Sequence, residues 1–165
     1  MKTLRTLLAV GLSLTVTPCF AGIADSPLPV LTAGSTTYHL YSVPGVIAGG
    51  GLDTYFSCTS TEATATIQAG VEIFASPGGA AANDAAATSL PVGPGATVIF
   101  GTSSAVGISI NSNLGAGGFS KGSARILATS KKLVCTAFLA DPGNAPPTSM
   151  AQLTIIAKLK QKAAN

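Results

Sequence analysis

The chain contains one histidine, so any chemistry that needs an imidazole must be built around His39. Gly118-Phe119-Ser120-Lys121-Gly122 carries the G-x-S-x-G pattern, in which a hydrolase holds its serine on a turn from a strand into a helix, with the acid and the histidine following in the chain. Here further glycines precede Ser120, a β-like run follows it and His39 lies upstream. Ser120 is therefore expected to be non-catalytic. His39, flanked by Tyr38 and Leu40, reads as a surface or hydrogen-bonded strand residue. One histidine beside an engaged cysteine pair supplies no zinc spacing. Asp141 and Asn144 offer oxygens for calcium, but Asp-Pro-Gly-Asn is also a turn sequence, and the turn is the expectation. A glycosidase needs two facing carboxylates. Asp25, Asp53, Glu62, Glu72, Asp84 and Asp141 are available, and nothing in their spacing selects two. Tyr38, Tyr41 and Tyr55 could form a sugar platform, yet their strand positions point to packing or rim contacts. Gly49-Gly50-Gly51 precedes no helix start and no Gly-Lys-Ser/Thr, so it reads as a turn or bulge rather than a phosphate cradle. The expectation is no catalytic residue, no metal, no cofactor and an unassigned binding surface.

The elements that must carry these residues are strands. Residues 122–140 form two apolar runs around a polar Ser130-Lys131-Lys132 tip, the pattern of a β-hairpin. In the second run Leu133, Cys135, Ala137 and Leu139 share an apolar face. Leu52, Phe56 and Cys58 fall in one phase of residues 52–59, so a Cys58–Cys135 disulfide is expected. Over residues 64–74, Ile67, Ala69, Val71 and Ile73 alternate with Thr66, Gln68, Gly70 and Glu72, which predicts a strand with one buried and one wet face. Further strands are expected at 36–43 (ending at Pro44), 88–92, 96–100 and 150–158, with a β-like run at 106–110. Gly93-Pro94-Gly95 is a turn and 141–148 a Pro-rich connection. Residues 76–89 read as a long mobile loop, with one helical turn over the alanines as the alternative. Some eight or nine short strands imply an all-β fold, an antiparallel β-sandwich with a β-barrel as the alternative.

Lys2 and Arg5 precede an apolar run ending near Val16, and Cys19-Phe20-Ala21 carries small residues where a signal peptidase reads. Residues 1–21 are expected to be a signal peptide cleaved after Ala21, with Ala24 as a second acceptable site. Pro18 disfavours lipidation of Cys19. The apolar run, about ten residues, is short of the roughly 20 that span a bilayer, and no later segment qualifies. Residues 22–35 then form an extended lead-in, 36–160 the β domain and 161–165 a tail. The leader removes two of nine basic residues against six acidic ones, leaving a near-neutral chain without the basic face that nucleic acid requires. The lysines at 158, 160 and 162 read as a solvated end that guards an edge strand. Charged residues make up only 9% of the chain, which suits surfaces that meet protein or matrix.

The polar-tipped hairpin, followed by Pro146-Pro147-Thr148-Ser149-Met150 and the Lys-rich end, resembles uncharacterised small secreted bacterial proteins of β-sandwich type, from about Val43 to the C-terminus. The resemblance implies a bacterial exported protein and no particular activity. Leu90-Pro91-Val92-Gly93-Pro94-Gly95-Ala96-Thr97, between strands, resembles the sensory rhodopsin transducer group, and no functional residue carries over from either likeness. Size and composition are similar to chaperone-usher fimbrial subunits, but those place their cysteines closer together and end in an aromatic-containing strand. The functional expectation is an exported, non-catalytic structural or interaction domain, secreted or periplasmic. Its partner would be protein or extracellular matrix, or a second copy of the chain as a homo-oligomer. The alternatives are a carbohydrate- or small-ligand-binding module and, behind it, a hydrolase.

Overall fold

The computed structural model describes residues 22–24, 26–76 and 78–158. The leader expected at 1–21 with Cys19, the carboxylate Asp25, the lysines 160 and 162, and the tail 161–165 lie outside the described residues. Among those described there is no α-helix. Ten strands follow in chain order: β1 (Tyr38–Gly49), β2 (Leu52–Ser60), β3 (Ile67–Ala75), β4 (Leu90–Val92), β5 (Thr97–Gly101), β6 (Ser112–Asn113), β7 (Phe119–Ala128), β8 (Leu133–Ala140), β9 (Met150–Leu153) and β10 (Ile156–Ala157).

The all-β expectation holds. The strands make one hydrogen-bonded sheet, β4-β3-β7-β1-β2-β5-β6, with β8 and then β9 continuing from β2 and β10 joining β1. The pairing is mixed, because β5 and β6 run parallel while the others are antiparallel. The sheet curls until it is nearly closed and barrel-like. Its inner face holds one core, with Val43 and Val46 from β1, Phe56 from β2, Phe100 from β5 and Ile126 from β7 all at 0% exposure.

The hairpin expected over residues 122–140 does not form. β7 pairs with β1 and β3, whereas β8 pairs with β2 and β9, so the chain between them arches across the core. The polar tip binds outward instead: Thr129 exchanges bonds with Gln68, and the Thr61 N–H donates to Lys132 O. Two apolar runs around a polar tip suit either arrangement, since both bury one face of each strand. Those tip bonds belong to the arch.

Other boundaries also move. β1 runs past Pro44 to Gly49, turning into β2 through Gly49, Gly50 and Gly51, whose φ angles of 101°, 69° and 86° only glycine adopts without strain. The run 106–110 is not a strand; the short β6 lies just beyond it. The final expected strand divides into β9 and β10.

The expected wet face of β3 is covered. Gly70, Glu72 and Phe74 are buried, because the lead-in and the 76–89 loop lie over them. Leu31 of the lead-in packs with Ala85 and Leu127. The loop is docked: the Asn83 amide imitates a neighbouring strand, accepting from Ile73 N–H at 2.8 Å and donating to Val71 O at 2.8 Å. Its alanines do form one helical turn, with Thr88 N–H donating to Asp84 O.

Candidate functional site

A seam runs between β1 and β8, and the segment of β9 and β10 bridges it. β9 lies along β8 with Ala137 opposite Leu153 and Ala140 opposite Met150. The chain then leaves β8 and crosses, so that β10 sets Ile156 opposite Ser42 and Ala157 opposite Tyr41 of β1. Lys158 N–H extends that contact by donating to Leu40 O. Above the crossing, the Tyr41 hydroxyl donates to Leu133 O at 2.8 Å and ties β1 to β8 directly.

Strand alternation determines what remains open. In an antiparallel ladder, every second residue turns its N–H and C=O away from a given neighbour. Thr61 N–H bonds Lys132 O, so the even-numbered residues of β8 face β2 and the odd-numbered ones face outward. Leu133 accepts from Tyr41, while Ala137 and Leu139 meet β9. Between them, the peptide groups of Cys135 face a cleft of about 400 Å³ lined by Cys135, Thr136 and residues 152–155.

Cys135 also stands directly opposite Cys58 on β2, with the sulfurs at disulfide distance. The pairing expected from sequence is thus present in space, between neighbouring strands. Cys58 is fully buried and Cys135 partly so.

The residues singled out for chemistry do not converge. His39 lies opposite Leu127 on β7, and Ser120 lies seven positions earlier on that strand, about 23 Å away at ~3.3 Å per residue. His39 Nε2 donates to Tyr41 O at 3.1 Å and lies 3.0 Å from Ser42 Oγ. Burial, then the nearby charges of Lys158 and Arg125, lower its pKa from 6.5 to about 4. The imidazole is therefore neutral at neutral pH.

Each described carboxylate holds a loop or a strand. Asp53 accepts from Gly49 N–H and from the Thr102 hydroxyl, bracing the β1–β2 turn. Glu62 accepts from the Ser130 hydroxyl and pairs with Lys132, which hold its pKa below the usual carboxylate range. Asp84 accepts from Ala86 and Ala87 N–H. Asp141 accepts from Asn144 Nδ2 and Ser149 N–H, which lower its pKa in that order. Asp141 and Asn144 thus close a turn. Among the described residues, no three His, Cys, Asp or Glu side chains gather as a metal site would require.

The tyrosines pack. Tyr55 is fully buried and stacks on Phe138 at 5.6 Å, Tyr38 lies beneath the Lys131 ammonium at 5.0 Å, and Tyr41 serves the seam. Burial raises the Tyr55 pKa.

Sequence reasoning overlooked the Arg125–Glu72 pair. Arg125 is 1% exposed, bonds Glu72, donates to Ser26 O and Pro27 O at 2.9 and 2.7 Å, and covers the Phe74 ring. The signal was available: one charge inside each of the apolar runs 124–128 and 71–74. In the strand expected over residues 36–43, β1 is flanked from Tyr38 by β7 on one side and at Leu40, Tyr41 and Ser42 by β10 with Lys158 on the other.

No helix of the described residues is long and apolar enough to cross a membrane. Comparison with family models, with curated proteins and with solved structures finds no match.

Proposed function

We propose that this protein is an exported, non-catalytic β domain that works through its surface, contacting protein or extracellular matrix in the periplasm or outside the cell. The observation that carries the reading is the open stretch of β8 at Cys135, whose outward peptide groups face a cleft. Unpaired strand edges accept extended segments from a neighbour. Two further features support it. Charge is sparse, and a cysteine pair at disulfide distance suits an oxidising compartment. In finer architecture we read the curled sheet as a β-sandwich: β4, β3, β7 and β1 form one leaf, β5, β2, β8 and β9 the other, and a barrel is the alternative description. The arch between β7 and β8 supports the two-leaf reading.

A ligand-binding module is the second reading. The cleft of about 450 Å³ lined by Ile47, Leu52, Phe119 and Ser120 beside Gly49 and Gly50 supports it.

The test places lysines on the rim of the first cleft. Thr136→Lys and Gln152→Lys, in protein shown to be folded, should weaken association with a native envelope or matrix fraction by about tenfold or more, equivalent to ~1.4 kcal/mol. His39→Ala and Ser120→Ala should leave association unchanged. Loss on Phe119→Ala with the rim variants silent would favour the ligand module, and a turnover abolished by either alanine change would move the protein to the enzymes.

A further inference from the structure

The segment that closes the seam is weakly held. Of residues 150–158, only Leu153 and Ile155 are partly covered, and the other seven are exposed. Its ladder amounts to four register pairs on β8 and two on β1. Local opening is easiest where buried apolar contact is least, so this segment belongs to the least stable part of the molecule. Behind it lies the hinge, residues 141–149, with Pro142, Pro146 and Pro147. One residue clasps its two ends: Asp141 N–H donates to Ser149 O at 3.2 Å, and Ser149 N–H donates to Asp141 Oδ1 at 2.7 Å. Unclasped, a Pro-rich stretch of this length reaches about 28 Å at ~3.1 Å per residue, far enough to carry the segment off its own domain.

We infer that residues 150–158 exchange between two copies of this chain, each laying its segment along β8 and β1 of the other in a reciprocal two-fold dimer. The occupant is a second copy because the groove already matches this sequence. Leu153 opposite Ala137, Ala151 opposite Leu139, Met150 opposite Ala140 and Ile156 opposite Ser42 are all remade unchanged when the segment comes from a twin. The inference deepens the surface reading above and rests on it in taking the seam as the contact face, while naming the partner. The Asp141 clasp sets the balance. With the hinge folded back the chain is a monomer, and with the hinge straight it pairs.

The decisive experiment mixes two variants of the full chain, one carrying only Ala140→Cys and the other only Met150→Cys, then concentrates and mildly oxidises them. These positions are register partners, and Ala140 is buried, so chance collision does not join them. Exchange yields a covalent heterodimer. Deleting residues 143–145, which prevents the hinge from folding back, should raise the mass by light scattering about twofold. Asp141→Ala should raise the dimer fraction in the same direction.

The proposal is overturned if no heterodimer forms while a single chain carrying both cysteines closes its internal bond, since the segment then docks without exchanging. It is equally overturned if neither bond forms, because the register itself is then wrong. A chain that stays monomeric but still loses association on Thr136→Lys refutes the exchange alone. A dimer that forms while the rim lysines leave association untouched refutes the contact reading alone.

Discussion

Arg125 of β7 stands opposite Glu72 of β3 in the ladder, and their buried ion pair reaches on to the main-chain oxygens of Ser26 and Pro27. Two strands and the lead-in are thereby joined through one guanidinium. Arg125→Ala leaves Glu72 buried without its partner, a change that typically costs about 3–5 kcal/mol. Replacing both residues by apolar ones of similar volume should recover much of that loss. Urea unfolding of the two variants measures the difference, and a single variant within about 0.5 kcal/mol of wild type would remove the pair from any structural role.

The Cys58–Cys135 bond joins positions 77 apart in sequence. In the chain-entropy account, closing a loop of that length stabilises the fold by about 4–5 kcal/mol. The Cys58→Ser/Cys135→Ser variant should lose a comparable amount. Denatured, unreduced protein should show no free thiol from this pair, and a thiol count of two there would contradict the bond.

Acid should weaken the fold in two stages. Unfolded His39 takes up its proton near pH 6.5 and folded His39 only near about 4, so between those values the unfolded chain binds more protons and stability falls as pH is lowered. Glu62 and Asp141 have lowered folded pKa values. Their contributions are present above the unfolded carboxylate pKa and are lost as pH falls through the folded one. Denaturation midpoints measured from neutral pH downward should show both stages, and His39→Gln should flatten the upper one. An unchanged upper stage in that variant would assign it to another group.

Gly101 ends β5 against Tyr55. A methyl group there would lie 2.7 Å from Ser103 O, closer than carbon tolerates, and 3.0 Å from the Tyr55 ring, a tight contact. Gly101→Ala should cost about 1–3 kcal/mol and alter the near-ultraviolet signal of the Tyr55–Phe138 stack. A midpoint and a spectrum equal to wild type would mean that this contact relaxes freely.

Local patterns were readable where they depend on neighbours in sequence. Alternation in 67–73 placed a strand and its buried face, the glycine triplet placed the β1–β2 turn, and Gly93-Pro94-Gly95 placed the turn in which Ala96 N–H bonds Gly93 O. The apolar phase of Cys58 and Cys135 was enough to pair them. The turn read at Asp141 is also present, closed by bonds from Asn144 and Ser149, whereas the separation of Ser120 on β7 from His39 on β1 follows from a strand pairing that no local motif announces.

What depends on distant partners was not readable. Alternation states which side chains share a face but not which strand lies alongside, so 122–140 suited a hairpin and an arch equally. The partners that β7 and β8 take, with the tip's bonds to Gln68 and Thr61, separate the two. The second face of β3 read as wet because its cover, the lead-in with Leu31 and the loop with Asn83, comes from segments with no strand pattern of their own. The seam is the clearest case. Residues 150–158 read as one strand, and they become two because the edges of β8 and β1 lie side by side in the folded chain, a juxtaposition that residues more than ninety positions apart, Tyr41 and Leu133, hold with one hydrogen bond.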